Sequence, residues 1–481
     1  MQPTALPVPT SRLQRCQDNL QSTEAADECL PAQNPTESFW LNTPNANPLA
    51  KEGSTGDLPA VADVCIIGSG ITGVSVAYHL ATQAQQEKPL KVIILEARDF
   101  CSGATGRNGG HLTPNAFIDF CSLKSRFGQE EALKALDLES HTANGILEFI
   151  SSQNIEQAVD LVAGGHITMF ITEDEFLRAQ EDYQAAREAG VDLSSVDWLN
   201  KEEMFSTYGV PYPGVKFGGH NLWPVKLVTH MYHFAKSKLP LSLHTSTPVN
   251  TISSNGGDSP HRWKVHTSRG SVLCSYVVHA TNAYASHLLP RLRGSSGIVP
   301  TRGQIVAVRA SVPLHQFGGK SSWDANDGFE YWFPRPVGST SELPLFILGG
   351  GREVETHFEH GETDDSKCNE AVGKVLRGFL PTLHPDKFES GREPVMEWTG
   401  IMGFTSSRDP FVGPVGESHN SGSSDEMNYK GHFIAAGYSG HGMPRAFACA
   451  EVIATMIIAD SRGQPWNAPN WLPQHYLTKP T

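Results

Sequence analysis

Three glycines at G-x-G-x-x-G spacing, Gly68, Gly70 and Gly73, begin the part of the chain whose residue types can do chemistry. At this spacing the first glycine permits a tight turn, the second lets the backbone approach a pyrophosphate, and the third lets a helix pack closely on a strand. Apolar residues 64–67 precede the turn, and apolar residues at helical spacing follow it from Ile71. Because the free N–H groups of such a helix face the turn, the pattern predicts an anion site.

A second apolar strand, residues 92–95, ends at Glu96, where a carboxylate can accept hydrogen bonds from ribose hydroxyls. A glycine motif alone is weak evidence, because a Gly-rich turn can bind nothing. Strand, turn, helix, strand and acid in this order predict a dinucleotide site. They do not distinguish NAD from FAD.

A second glycine-rich segment, SGATGRNGGH at residues 102–111, follows the acidic strand end directly. A simple nicotinamide dehydrogenase would ordinarily continue here into another helix and strand. Consecutive glycines offer bare N–H groups to a phosphate or a flavin edge, and Arg107 could supply charge to a phosphate. The alternative is a flexible surface loop.

With these motifs the chain resembles the FAD-dependent amine and amino-acid oxidases of the D-amino-acid oxidase superfamily, and GATGRNGGH is most similar to gamma-glutamylputrescine oxidase-like members, fungal ones included. The resemblance spans residues 38–465 and is specific at 63–111 and 432–445. It implies an α/β (α+β) fold, with a Rossmann-like FAD-binding domain and an interleaved antiparallel-sheet substrate domain. Some relatives link the flavin covalently to histidine or cysteine. Since Arg107 and Asn108 occupy those positions here, we expect non-covalent FAD.

A further glycine turn, residues 437–443, lies between a strand and a long apolar helix, and in the family it approaches the flavin pyrimidine edge. The motifs and the resemblance together assign the following residues to the FAD site: Gly68, Gly70, Ile71, Thr72, Gly73, Glu96, Ala97, Arg98, Gly103, Ala104, Thr105, Arg107, Asn108, Gly109, Gly110, His111, Val249, Ala280, Thr281, Asn282, Gly437, Tyr438, Ser439, Gly440, His441, Gly442 and Met443.

The implied reaction moves hydride from a C–H beside a neutral amine to flavin N5, leaving an imine, and O2 then reoxidises the flavin. Among the candidate catalytic residues, His111 and His441 could polarise the flavin or accept a proton. Tyr331 and Arg335 fall on one face of a strand, where they could bind an amine through cation–π contact or clamp a carboxylate. Structural histidines and core packing are the alternatives. We find no catalytic triad and no metal set.

Two other functions remain open: a flavin dehydrogenase with another electron acceptor, and a non-catalytic flavin-binding protein. A flavin monooxygenase is disfavoured, because residues 345–351, LFILGGG, lack the spacing of a second nucleotide turn.

The composition and charge of the chain limit the classes of partner that it is expected to bind. The 481-residue chain has a net charge of −14 and a pI near 5.8, which argues against nucleic acid or an anionic membrane and favours a small amine or amino acid. No apolar run is long enough to span a membrane, and no standard secretion signal is visible. Eight scattered cysteines without zinc spacing fit a reducing cytoplasm. We expect a monomer or homodimer.

The elements that position these residues follow from apolar periodicity. It predicts helices over 127–150, 173–189, 226–238 and 367–380, a strand over 166–171 and a strand pair over 394–405. We expect an extended N-terminal arm at 1–60, whose bulky residues 38–41 dock on the body. The predicted domains are an FAD-binding domain at 61–150, 224–300 and 394–465, a substrate-binding domain at 151–223 and 301–393, and a C-terminal tail at 466–481.

Overall fold

The structure, a computed structural model, describes residues 6–8, 20, 29–83, 89–256, 259–416 and 429–478. The strands are β1 (Val64–Ile67), β2 (Val92–Leu95), β3 (His111–Leu112), β4 (His166–Met169), β5 (Asp197–Leu199), β6 (Gly214–Phe217), β7 (His220–Asn221), β8 (Leu241–His244), β9 (Val249–Ser254), β10 (Trp263–Thr267), β11 (Gly270–Cys274), β12 (Tyr276–His279), β13 (Val299–Arg309), β14 (Ser322–Ala325), β15 (Glu330–Pro334), β16 (Leu345–Gly350), β17 (Met396–Phe404), β18 (Phe411–Pro414) and β19 (His432–Ala436). The α-helices are α1 (Phe39–Asn42), α2 (Ile71–Gln83), α3 (Phe120–Phe127), α4 (Gln129–Gln153), α5 (Glu173–Glu188), α6 (Lys201–Tyr208), α7 (Pro224–Lys238), α8 (Ala285–Leu288), α9 (Glu370–Leu383) and α10 (Ala446–Ser461).

A six-stranded sheet in the order β18–β19–β12–β1–β2–β8 carries the first glycine turn. All its neighbours pair in parallel except β18 and β19, which are antiparallel. All four residues of β1 and of β2 are buried, as their apolar β-branched runs predict for a parallel sheet covered on both faces. The covering helices include α2, which packs against α7 and α10.

An eight-stranded sheet in the order β17–β13–β16–β15–β14–β4–β6–β5 faces the first sheet's glycine turns across a cavity. Its pairs are antiparallel except β4 with β14, which run in parallel, so the sheet is mixed. β17, which the sequence division placed with the FAD-binding segments, pairs along β13 in this sheet. The rest of the domain division stays a prediction.

Several predicted elements differ in their ends. The helix expected over 127–150 is α4, which begins at Gln129 and ends at Gln153, because Gly128 takes φ +92° and separates it from the preceding α3. The strand pair expected over 394–405 is the single strand β17. The helix expected over 367–380 starts later, where the side chain of Asn369 caps α9, and continues to Leu383.

The N-terminal arm packs on the body where the structure describes it. Ser38 caps α1, and Trp40 is fully buried, its ring 5.4 Å from that of Trp223. Residues 1–5, 9–19 and 21–28 of the predicted arm lie outside the described residues. So do residues 417–428, part of a stretch at 417–429 that its Ser-, Gly- and Asn-rich sequence predicts to be an exposed loop. Within the described part, no helix has both the length and the apolar character needed to cross a membrane.

Candidate active site

A cavity of about 820 Å³ lies where the two sheets meet. One wall holds the carboxyl ends of β1, β2 and β12, with Ile67, Leu95 and Ala280, and the other holds Thr168 and Tyr331 from the eight-stranded sheet. Ligands of parallel α/β sheets bind at the carboxyl ends of strands, so this cavity is the candidate active site.

The first glycine turn has the conformation that its spacing predicts. Gly68 has φ +108°, and a Cβ there would lie 2.5 Å from the carbonyl oxygen of Ala280. A Cβ on Gly73 would lie 2.0 Å from the carbonyl oxygen of Gly68, so this glycine permits the close contact of α2 with β1. Gly68 and Gly70 line the cavity, whereas Gly73 does not. Gly73 therefore acts through packing rather than through ligand contact.

Glu96 is held in place at the end of β2 by neighbouring donors. Its Oε2 accepts hydrogen bonds from the Ser69 backbone N–H at 2.9 Å and the Ser69 hydroxyl at 2.7 Å, and its Oε1 accepts from the Arg98 N–H at 3.0 Å. Glu96 lines the cavity beside the first glycine turn. Its predicted contact with ribose stays a prediction.

The N-terminal arm supports the outer side of the loop 103–111. Ser38 donates from its hydroxyl to the Gly106 carbonyl at 2.6 Å, and the Trp40 indole donates to the Asn108 carbonyl at 2.5 Å. A Cβ on Gly110 would lie 3.1 Å from the Trp40 ring. The loop is therefore fixed between the cavity and a segment that sequence analysis treated only as a docked arm.

The Arg107 side chain is turned toward this arm, which differs from its expected role. The guanidinium donates to the carbonyls of Ser102 at 3.0 Å and Thr399 at 2.9 Å and to the Thr36 hydroxyl at 3.1 Å, and it lies 3.7 Å from the buried carboxylate of Asp365. Burial lowers the pKa of Arg107 to about 10. Although Arg107 lines the cavity, these bonds hold the loop to the arm and to β17 rather than presenting the charge to a phosphate.

The turn at 437–443 closes the cavity beside the first glycine turn. The Thr72 hydroxyl donates to the Tyr438 hydroxyl at 3.1 Å, which joins the two turns. Gly437 does not line the cavity, since its Cα faces Thr405 and Ile298 in the protein interior. This glycine makes the turn, with φ +85°, without touching the cavity.

His441 is held by a buried carboxylate that sequence analysis missed. Glu139 of α4 is 2% exposed and lies 3.1 Å from His441 Nε2 and 2.8 Å from Arg445 Nε. Burial favours the protonated form of Glu139, but the charges of His441 and Arg445 dominate and lower its pKa to about 2. Glu139 thus fixes the imidazole that lines the cavity ahead of α10.

The ring of His111, in β3, packs against the rings of Tyr331 and Phe333, in β15 of the eight-stranded sheet. The His111 ring lies edge-on to Tyr331 at 5.5 Å and to Phe333 at 5.1 Å. Burial lowers the pKa of His111 to about 3 and raises that of Tyr331 to about 12, so both side chains are uncharged at neutral pH. His111 and Tyr331 line the cavity, as predicted from the sequence.

Arg335 is not brought to the cavity. β15 ends at Pro334, and the Arg335 guanidinium pairs with Asp160 and lies 5.1 Å from the Trp40 ring and 5.0 Å from the Trp223 ring. The strand therefore does not extend to Arg335, whose side chain packs against the N-terminal arm. The arm separates this arginine from the cavity. A carboxylate clamp by Arg335 does not fit this placement.

Sequence analysis missed four further polar residues that line the cavity or hold its lining: Asp324, His166, Arg352 and Glu139. Asp324 lies in the segment WDANDGFEYWFPRP, residues 323–336, which also contains Tyr331. The pairing of the two strands of this hairpin was the signal that could have found it. His166, Arg352 and Glu139 had no local motif.

The remaining predicted cofactor residues fit a large polar ligand. The hydroxyls of Thr281 and Tyr284 are buried at the cavity wall without a hydrogen-bond partner among the described residues. Such groups are costly unless a ligand or water pairs with them, so the donor set fits FAD. The other predicted residues that line the cavity are Ile71, Thr72, Ala97, Arg98, Gly103, Ala104, Thr105, Asn108, Gly109, Gly110, Val249, Asn282, Tyr438, Ser439, Gly440, Gly442 and Met443.

Residues 63–456 match the model of a family described as FAD dependent oxidoreductase, DAO. The chain belongs to this FAD-dependent oxidoreductase family. FAD is therefore its cofactor, and the resemblance drawn from the sequence is confirmed.

The chain is similar to proteins that are named as oxidoreductases and oxidases. A probable oxidoreductase of Rhizobium meliloti, OrdL, is 24% identical over 412 residues, covering 83% of this chain and 84% of that protein. The gamma-glutamylputrescine oxidoreductase of Escherichia coli is 23% identical over 427 residues, covering 83% of this chain and 84% of that protein. The crystal structure of glycine oxidase from Geobacillus kaustophilus matches with a TM-score of 0.62 at 22% identity, over 83% of this chain and 95% of that one. This match confirms the predicted fold class.

Proposed function

We propose that the protein is an FAD-dependent oxidase of small amines or N-substituted amino acids, acting on the C–H bond beside the amine nitrogen. One observation carries the proposal: a single cavity is lined by the three glycine-rich turns expected to hold FAD and by two uncharged aromatic side chains, Tyr331 of the eight-stranded sheet and His111 of β3. The relatives named for glycine and gamma-glutamylputrescine support an amine or amino acid as the substrate class.

The chain offers each part of FAD a suitable site. The N–H groups at the start of α2 and along the loop 103–111 suit the pyrophosphate, and Glu96 suits the ribose. When bound, FAD accepts the electron pair and the hydrogen that leave the substrate carbon. We propose non-covalent binding, because Arg107 and Asn108 occupy the positions that carry the histidine or cysteine link in some relatives.

The protein's own contribution is to exclude water and to fix groups around the reacting carbon. The uncharged rings of His111 and Tyr331 line the cavity, and the buried Phe333 ring packs edge-on against His111. The Glu139 carboxylate fixes the His441 imidazole on the other side. The substrate amine loses the C–H hydrogen and its N–H proton as the imine forms, and O2 takes up two electrons and two protons to become hydrogen peroxide.

Anaerobic titration of the purified FAD-loaded protein with n-butylamine, glycine, sarcosine and L-proline tests this proposal. We expect one class to bleach the oxidised flavin bands, and air to restore them with one hydrogen peroxide per flavin. Bleaching with slow recovery in air but fast recovery with a quinone would replace the oxidase by a dehydrogenase. A yellow protein that no amine or amino acid bleaches would refute the amine reaction.

The proposal also includes a cytoplasmic location and a monomeric or homodimeric state. Light scattering on a gel-filtration column measures the mass of the particle against 52.3 kDa for one chain. Denaturation with trichloroacetic acid tests the mode of attachment, since non-covalent FAD stays in the supernatant.

A further inference from the structure

Asp324 lines the cavity with a carboxylate that has few partners in the protein. Its Oδ2 lies 3.4 Å from His166 Nε2, whereas its Oδ1 is excluded from solvent and has no hydrogen-bond partner among the described residues. Two other carboxylates of the cavity wall, Asp327 and Asp409, also have one oxygen without a hydrogen-bond partner among the described residues, but each forms an ion pair with an arginine, at 2.8 and 3.5 Å. Leaving a buried carboxylate oxygen unpaired is costly, so Oδ1 calls for a donor from a ligand.

The strand register places this carboxylate beside an aromatic ring. Asp324 on β14 pairs with Tyr331 on β15 and with Thr168 on β4, and all three residues line the cavity. Directly paired residues of neighbouring strands project from the same face of a sheet. A carboxylate next to an aromatic ring is an arrangement that suits an organic cation, which gains both an ion pair and cation–π contact.

The charge of Asp324 itself also suits a cation. Burial alone raises the pKa of Asp324, but the neighbouring His166 outweighs it, and the net pKa is below its ordinary value. The carboxylate is therefore ionised at neutral pH. The nearby His111 ring, whose pKa burial lowers to about 3, is neutral and does not compete for the carboxylate.

We propose that Asp324 binds a second, non-reacting cationic nitrogen of the substrate, so that the enzyme acts on diamines and related aminoalkyl cations. A carboxylate against the reacting nitrogen would stabilise its protonated form. Oxidation of the adjacent C–H requires the neutral amine, so an ionised Asp324 suits a nitrogen away from the reacting carbon. This inference rests on the amine oxidation proposed above and names the specificity of the same cavity.

Three probes have a primary amine at one end of a four-carbon chain and differ in the group at the other end: 1,4-diaminobutane has a second amine, n-butylamine a methyl group and 4-aminobutanoate a carboxylate. Anaerobic rapid mixing with the FAD-loaded protein gives a Kd for each probe from the dependence of the flavin reduction rate on its concentration. For a probe that does not reduce the flavin, the perturbation of flavin absorbance gives the Kd. We expect 1,4-diaminobutane to bind about tenfold to a hundredfold more tightly than n-butylamine, the range for a hydrogen bond to a charged group. We expect 4-aminobutanoate to bind most weakly. Equal Kd values for the diamine and the monoamine would overturn the proposal.

Variants assign the preference to the carboxylate. Asp324→Asn should weaken 1,4-diaminobutane to the Kd of n-butylamine and leave the monoamine Kd unchanged, and Asp324→Glu should keep part of the preference. The matched control is Asp327→Asn, which removes a cavity-lining charge already paired with Arg178 and should keep the full preference. An equal loss for both amines in Asp324→Asn would show a structural role and refute the specificity.

The two proposals fail in different ways. If amines bleach the flavin without any preference for a second cation, the assignment of Asp324 is wrong and the oxidase stands. If 1,4-diaminobutane binds tightly through Asp324 but neither it nor any amino acid bleaches the flavin, the cation site stands and the amine oxidation is wrong.

Discussion

Replacing Asp365 with asparagine should destabilise the protein by about 3–5 kcal/mol, the range for removing one partner of a buried ion pair. The Asp365 side chain is 1% exposed, and Arg98 Nη1 donates to both of its oxygens, at 2.9 and 3.0 Å. The Arg107 guanidinium lies 3.7 Å away on the same carboxylate. Asparagine keeps the shape but leaves two buried guanidinium groups side by side without their counter-charge.

Urea unfolding of the FAD-free protein, followed by tryptophan fluorescence, measures this change, and urea is preferred because an ionic denaturant would screen the ion pair. The matched control is Asp99→Asn, which breaks the ion pair with Lys51. The side chain of Asp99 is 40% exposed and that of Lys51 is 68% exposed. Such an exposed pair contributes about 0–1 kcal/mol. If Asp365→Asn costs no more than Asp99→Asn, the network is not what holds the loop 103–111 to the arm.

Two further predictions concern the glycine turns. Gly73→Ala places a Cβ 2.0 Å from a backbone carbonyl oxygen and should abolish FAD binding, measured by flavin fluorescence quenching, whereas Gly218→Ala, with no atom within 4 Å, should bind FAD as the wild type does. The pKa of Glu139 falls from 4.5 to about 2 on folding, so its stabilisation is present above pH about 4.5 and is lost as the pH falls toward 2. Urea midpoints measured from pH 7 to pH 3 should therefore fall less steeply for Glu139→Gln than for the wild type; parallel curves would contradict the assignment.

The parts of the site that could be predicted are those that local sequence determines. The turn at Gly68 and Gly70, the start of α2 and the position of Glu96 follow from residues close together in the chain. Their chemistry is tied to spacing, because a βαβ unit brings these residues together without help from the rest of the protein.

The parts that escaped prediction depend on partners far apart in the chain. Glu139 meets His441 across 302 positions, and Arg107 meets Thr399 across 292. Neither contact has a motif, and both decide what the side chains do. Arg107 was expected to bind a phosphate because it is a positively charged residue within a glycine-rich loop. Its burial against the arm depends on tertiary packing, which the local sequence does not show.

Asp324 is an intermediate case. The alternation of side chains along the strand correctly placed Tyr331 at the cavity. The short turn after Ala325 sets the pairing of β14 with β15, and this pairing places Asp324 beside Tyr331. Extending the same alternation to Arg335 failed, since β15 ends at Pro334 and aromatic side chains from residues 39, 40 and 223 surround the guanidinium.

The contacts of Asp365 bear on the order in which the enzyme matures during synthesis. Thr36 donates from its backbone N–H to the Asp365 carbonyl across 329 positions, and Thr399 receives Arg107 through its own carbonyl. During synthesis from the N-terminus, the glycine turn at Gly68 therefore leaves the ribosome long before Asp365 and Thr399, which hold the loop 103–111 in place. The last strand of the parallel sheet and α10 follow later still. We therefore expect FAD to be captured only after residue 399 has been synthesised, because a shorter ribosome-bound fragment carries the nucleotide motif without these supporting contacts.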